Sequence, residues 1–368
     1  MAIVMLIFII ALFFGAAGTP LVRRLATRTG FIATPQADRA HTEPTALMGG
    51  LAIYVAAIIA LMLMLFATAL VGNALRLSEV ISIIIAASLM AAIGLWDDKN
   101  SLPAYIKLAS QFVPILIVYF AGVQANLPLS IGIDPGLLNF IVTAGWILYI
   151  TNAINYLDNA DGIAVMTSAT ASAIFLLIAI LNDQQLVSLL AAAVLGASLG
   201  FARYNLPLPR STIFMGDSGS LFLGFLLAVL GIKIRIPANE PEITWMVPII
   251  VLGLPIFDTI LVFISRTRRG VSFFRGGVDH TTHRLARLGM DRLSVALAVG
   301  LICGVLGLVA IFVTQASLSE AYLVFASLGV IFLYGLWQLE LKPSHKFRTG
   351  LDELPTEVQE VQNKGLNG

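Results

Sequence analysis

The chain has 368 residues, 58% of them hydrophobic and only 12% charged, with a net charge of +1. Soluble domains carry roughly 25% charged residues, and a mean hydropathy of +0.92 leaves more apolar surface than one water-soluble core can hide. That composition excludes an ordinary soluble enzyme and predicts an all-α polytopic membrane protein. Nothing resembles the basic–aromatic array of a nucleic-acid binder, and the single cysteine, Cys303, rules out an intrachain disulfide.

A spanning helix needs about 20 apolar residues. Eleven such runs follow in order: 2–22, 47–72, 80–96, 104–123, 137–154, 163–181, 186–203, 220–236, 244–265, 293–314 and 321–341. The first lacks a basic leader and a small-residue cleavage site, which predicts a retained span. Residues 1–341 read as one transmembrane catalytic domain, and 342–368 as a polar cytoplasmic tail. Placing the loop after the first run inside puts 19 of the 22 Lys and Arg residues inside; Arg76, Lys233 and Arg235 remain outside. The positive-inside rule therefore predicts the N-terminus outside and the C-terminus in the cytoplasm. All four histidines and every unusual polar cluster fall in the inside segments. A transporter gathers ionisable groups near the bilayer midplane, so this placement points to chemistry at the cytoplasmic surface.

The second run opens on Gly49-Gly50. Two glycines at a helix mouth allow either close approach to a phosphate or close helix packing. The third run ends in Asp97-Asp98, which is unfavourable at a helix C-terminus and suits a general base beside a metal or phosphate. Lys107 offsets charge, binds phosphate or snorkels. Asn155, Asp158 and Asp161 recur every three residues before Gly162, so on a helical turn they share one broad face. Asn205 and two prolines close the seventh run.

Next comes Phe214-Met215-Gly216-Asp217-Ser218-Gly219-Ser220, an aspartate between glycines at a helix start. Hard oxygen donors without nearby thiolates suit Mg²⁺ or Mn²⁺. Asp258 lies within the ninth run as either a site residue or a partner for a nearby arginine. The basic loop beyond it carries Asp279, His280, His283 and Arg284. Two histidines alone make a weak zinc site and fit phosphate better. Five carboxylates, Asp97, Asp98, Asp158, Asp161 and Asp217, share one face. If they converge, their repulsion calls for a cation, as in a phosphoryl-transfer site.

These clusters, in this order over about residues 1 to 300, resemble the polyprenyl-phosphate N-acetylhexosamine-1-phosphate transferases. The carrying residues are Gly49 and Gly50; Asp97, Asp98 and Lys107; Asn155, Asp158, Asp161 and Gly162; Phe214 to Ser220; and Asp279, His280, His283 and Arg284. Two departures stand out. Asn159-Ala160 replaces the family's usual Gly-Leu, and Thr282 stands where many members carry a histidine.

The resemblance implies a multi-pass enzyme of the bacterial cytoplasmic membrane with its site facing the cytoplasm. Undecaprenyl phosphate would attack the β-phosphorus of a UDP-N-acetylhexosamine, most closely UDP-N-acetylglucosamine, and UMP would leave. The lipid I synthase is the alternative within the family, and a transporter the alternative outside it. The resemblance further implies Mg²⁺, with Mn²⁺ as substitute, on Asp217 and one of Asp97 and Asp98; the other aspartate would serve as base. Asn155, Asp158 and Asp161 would line the nucleotide site, Phe214 would stack on uracil, and Asn205 would hydrogen-bond to it. His280, His283 and Arg284 would hold the donor's phosphates or sugar. The resemblance leaves room for a homodimer.

Overall fold

The computed structural model describes residues 1–33, 45–70, 77–126, 134–237, 239–273 and 277–342. The predicted tail beyond Lys342 lies outside these residues. So do Arg39, Arg76, Arg275, Lys346, Arg348, Lys364, His41 and His345, which entered the orientation argument.

Helices dominate. They are α1 (Ala2–Thr29), α2 (Gly49–Leu70), α3 (Leu77–Asn100), α4 (Ala104–Ser110), α5 (Phe112–Phe120), α6 (Pro135–Leu157), α7 (Ile163–Leu181) and α8 (Gln185–Asn205). There follow α9 (Gly216–Lys233), α10 (Pro241–Thr244), α11 (Met246–Val251), α12 (Gly253–Arg268), α13 (Thr281–Arg287), α14 (Arg292–Gln315) and α15 (Leu318–Leu336), closed by a π turn, Trp337–Leu341. Local chemistry sets several boundaries. Asp134 caps α6 ahead of Pro135, Asp291 caps α14, and Ser317 and Glu320 form a reciprocal capping box on α15.

Among the described residues, each of the eleven predicted runs falls largely on helix. Among the described residues nine helices are long and apolar enough to cross a membrane, and a tenth span is made if α10–α11 and α12, bent by 65°, count as one. The run predicted over 104–123 is shorter, being Ala104–Phe120 broken into α4 and α5. The chain is thus an all-α polytopic membrane protein.

One helix organises the bundle. The α9 span is 89% buried, against 6% for the C-terminal span. Helices α2, α3 and α6 pack on α9, and α1 packs on α8. Small residues permit these approaches: a Cβ on Gly94 would lie 2.3 Å from the Asp217 carbonyl oxygen, and one on Gly50 would lie 2.0 Å from the Gly219 nitrogen. In lipid such close packing drives helix association.

A minimal β element completes the fold. Strands β1 (Ile32–Ala33) and β2 (Thr45–Ala46) pair antiparallel, and Ala46 bridges in parallel to Ile213. The Phe214 N–H then donates to Ala46 at 2.9 Å, Gly49 N–H to Phe214 at 2.9 Å and Gly50 N–H to Met215 at 2.7 Å. This backbone ladder holds the segment entering α9 against the start of α2.

Candidate active site

The adjacent aspartates at the end of α3 divide their work. Asp98 reaches the N-terminus of α9, where its two oxygens accept the Asp217 N–H (2.8 Å) and the Ser218 N–H (3.1 Å). The carboxylate that is unfavourable at its own helix end is thereby placed on the positive end of another. Gly216 makes room for it. Its φ is +72°, and a Cβ there would lie 2.8 Å from an Asp98 oxygen. Asp97 accepts the Leu102 N–H at 2.6 Å, closing the turn into α4, and pairs with Lys107 Nζ at 2.8 Å.

Lys107 is the hub. Its ammonium donates to Asp217 Oδ2 at 2.5 Å and to Asn155 Oδ1 at 3.0 Å, besides pairing with Asp97. Asn155 Nδ2 donates to Asp217 Oδ1 and to Ser220 Oγ, each at 2.8 Å. Lys107, only 15% exposed, therefore offsets charge rather than snorkelling. Four segments distant in sequence supply this one cluster.

The turn after α6 carries Asp158 and Asp161. Asp161 pairs with Arg292 at 3.5 Å. Burial, followed by repulsion from Asp217, Asp98 and Asp161, pushes the Asp158 carboxyl well above the usual carboxylate range. Gly162, at φ +81°, turns the chain into α7.

Asn205 braces this turn. It accepts the Gly162 N–H at 3.1 Å and donates to the Ile213 carbonyl at 3.0 Å. Its amide is thus engaged by backbone, where a uracil contact was expected. A similar correction holds for Gly49 and Gly50. Their N–H groups are donated to Phe214 and Met215, so they serve helix packing and not a phosphate. Phe214 is half-buried beside them.

On the other side stands α13. Asp258, buried within α12, is the partner of a histidine and not of an arginine: its oxygens meet His280 Nδ1 at 2.7 Å and the Thr281 N–H at 2.6 Å. The His280 and His283 rings lie 5.7 Å apart. Burial, then His280, holds His283 down to about 4. Arg284 departs from expectation. Being 1% exposed, it is clamped by the Asp279 carbonyl (3.0 Å), Ser265 Oγ (3.3 Å), Glu340 Oε2 (2.7 Å) and the Leu339 carbonyl. It ties α13 to the C-terminal turn and offers no free guanidinium to a ligand. The sequence pattern did not point to this role, nor to Glu340 and Arg292 as partners in the site.

The donors fit a hard cation. The candidate ligands are all oxygens, and of the five carboxylates Asp97 and Asp217 pair with Lys107 and Asp161 with Arg292, which leaves negative charge in excess. Among the described residues no three His, Cys, Asp or Glu side chains are gathered as a cation site, and the Lys107 ammonium bridges Asp97 and Asp217.

A family model described as glycosyl transferase family 4 matches residues 80–235, the stretch from α3 through α9 that builds this cluster. The chain belongs to that family. Relatives extend the match to nearly its full length. It is 28% identical, over 92% of itself and 94% of the other, to the probable undecaprenyl-phosphate N-acetylglucosaminyl 1-phosphate transferase of Bacillus subtilis. It is 29% identical, over 78% and 76%, to the decaprenyl-phosphate N-acetylglucosaminephosphotransferase of Mycolicibacterium smegmatis. It is 30% identical, over 55% and 64%, to the phospho-N-acetylmuramoyl-pentapeptide-transferase of Levilactobacillus brevis.

Proposed function

We propose that this family 4 membrane protein transfers N-acetylglucosamine-1-phosphate from UDP-N-acetylglucosamine to undecaprenyl phosphate at the cytoplasmic face of the bacterial inner membrane. The observation that carries the proposal is the joining of Asp97, Asp98, Lys107, Asn155 and Asp217 at one end of an apolar bundle. A charge cluster at the end of the spans suits a substrate whose phosphate lies at the headgroup level. The N-acetylglucosamine relatives match over most of both chains, whereas the pentapeptide-transferase relative matches 55% of this one. That contrast favours the first donor over the second.

In this mechanism an acceptor phosphate oxygen forms a bond to the donor's β-phosphorus as the bond from that phosphorus to the bridging oxygen breaks. UMP carries away the electron pair. Asp97, at the rim beside Lys107, positions the acceptor phosphate and takes any proton it holds. Lys107 neutralises the phosphate oxygens once they approach. Asp98 keeps Asp217 in place through its backbone. Asp217 and Asp158 would hold Mg²⁺, which when bound supplies charge neutralisation of the diphosphate; Asp98, the other expected ligand, is already engaged by two N–H groups. His280, oriented by Asp258, and the neutral His283 face the donor side.

Purified protein given undecaprenyl phosphate, Mg²⁺ and a panel of radiolabelled UDP-sugars should yield lipid-linked sugar and UMP with UDP-N-acetylglucosamine. UMP release only with the muramoyl-pentapeptide donor would transfer the chain to the lipid I reaction, and release with none would end the proposal.

A further inference from the structure

Asn159 and Thr282 lie 123 residues apart in sequence. Thr282 Oγ1 donates to Asn159 Oδ1 at 2.5 Å, and Asn159 Nδ2 donates back to the Tyr156 carbonyl at 3.1 Å. Thr282 is 3% exposed. Asn159 stands between Asp158 and Asp161, and Thr282 next to His283. These are also two positions at which the sequence departs from the pattern it otherwise resembles. A glycine at 159 has no side chain to accept this bond, so each departure has its meaning in the other.

We infer that Asn159 and Thr282 form a latch that positions the histidine helix α13 against the acidic turn and so sets how the UDP-sugar is held. On one side Asp258 fixes the first turn of α13 through His280 and the Thr281 N–H. On the other side Asn205 fixes the acidic turn through Gly162. Each half is rigid on its own support, and Thr282–Asn159 is a side-chain bond made directly between them. A short, part-buried hydrogen bond between two parts so held fixes the one against the other. Neither residue carries charge or a nucleophile suited to the reaction, so both are positioning residues. The inference rests on the proposed transferase activity.

The test is a double-mutant cycle on the full chain, read as steady-state UMP release with UDP-N-acetylglucosamine and undecaprenyl phosphate. Thr282→Val and Asn159→Ala should each lower kcat/KM for the UDP-sugar about tenfold, through donor KM, with acceptor KM unchanged. The double variant should be no worse than the poorer single, because the two act through one bond. Thr282→Ser, which keeps the hydroxyl, should restore activity to within about twofold of wild type. Unchanged donor KM in both single variants, or losses that multiply in the double variant, would overturn the latch. If the wild-type chain releases no UMP from any donor, the proposed function fails instead. The latch is then decided by melting the two single variants and the double variant: losses in Tm that do not add support it, and additive losses overturn it.

Discussion

Helices α3 and α9 run antiparallel and meet at both ends, and the two ends differ in kind. At one, the lone acid Glu79 from the start of α3 pairs with Lys233 from the end of α9 and also feels the charge of Arg235, whose backbone N–H donates to Gln184 at 2.9 Å. At the other, Asp97 and Asp217 from the same helices share Lys107, and Asp217, Asp98 and Asp161 repel the Asp158 carboxylate. Burying charge costs free energy unless it is matched. The balanced end, where the one acid is matched by base, joins the two helices. The unbalanced end retains a deficit of positive charge that a divalent cation would meet. The same helix pair thus carries one acid matched by base at one end and a crowd of acids at the other.

The comparison breaks hardest at Asp217. Asp217→Asn keeps size and the Asn155 neighbour but removes the central charge, and should lower turnover roughly 10³-fold while the protein still inserts and folds; steady-state UMP release with a melting curve checks both. Lys107→Met leaves Asp97 and Asp217 without their shared cation, and should lower turnover about a hundredfold, with added Mg²⁺ regaining part of the loss. At the balanced end, Glu79→Gln should lower stability by about 3 kcal/mol, the low end for breaking a buried pair because Lys233 keeps 19% exposure. Its kcat and KM should stay at wild-type values; a hundredfold loss there would erase the distinction between the ends.

The smallest effect concerns pH. His283 is held down to about 4 in the folded state against an unfolded value of about 6.5. Below about 6.5 the unfolded chain takes up a proton that the folded chain refuses. Its contribution to stability is thus complete above that pH and is lost as pH falls toward 4. Melting curves of wild type and His283→Gln across that window should differ in slope, the variant being the flatter.

Much was legible before any coordinates. Apolar runs of membrane length find helices because lipid forces every backbone polar group to bond within its own segment. Aspartates at the ends of such runs, notably Asp97, Asp98 and Asp217, stood out because charge there is costly. Four assignments were not legible, for physical reasons. Gly49, Gly50 and Asn205 met residues remote in sequence, and a glycine or an amide next to a site looks the same whether it faces a ligand or a neighbouring backbone. Arg284 read as a phosphate ligand until Glu340, 56 residues on, was seen to hold it at 2.7 Å.

The sequence by itself determined a many-helix membrane protein with its acids and histidines at helix ends, since hydropathy and charge are local properties of a segment. Only the tertiary structure decided that Asp98 caps α9, that Lys107 serves three partners, and that Asn159 meets Thr282. Those pairings depend on how close small residues such as Gly94 and Gly50 allow the helices to come, and approach distance belongs to the packed bundle, not to any one segment.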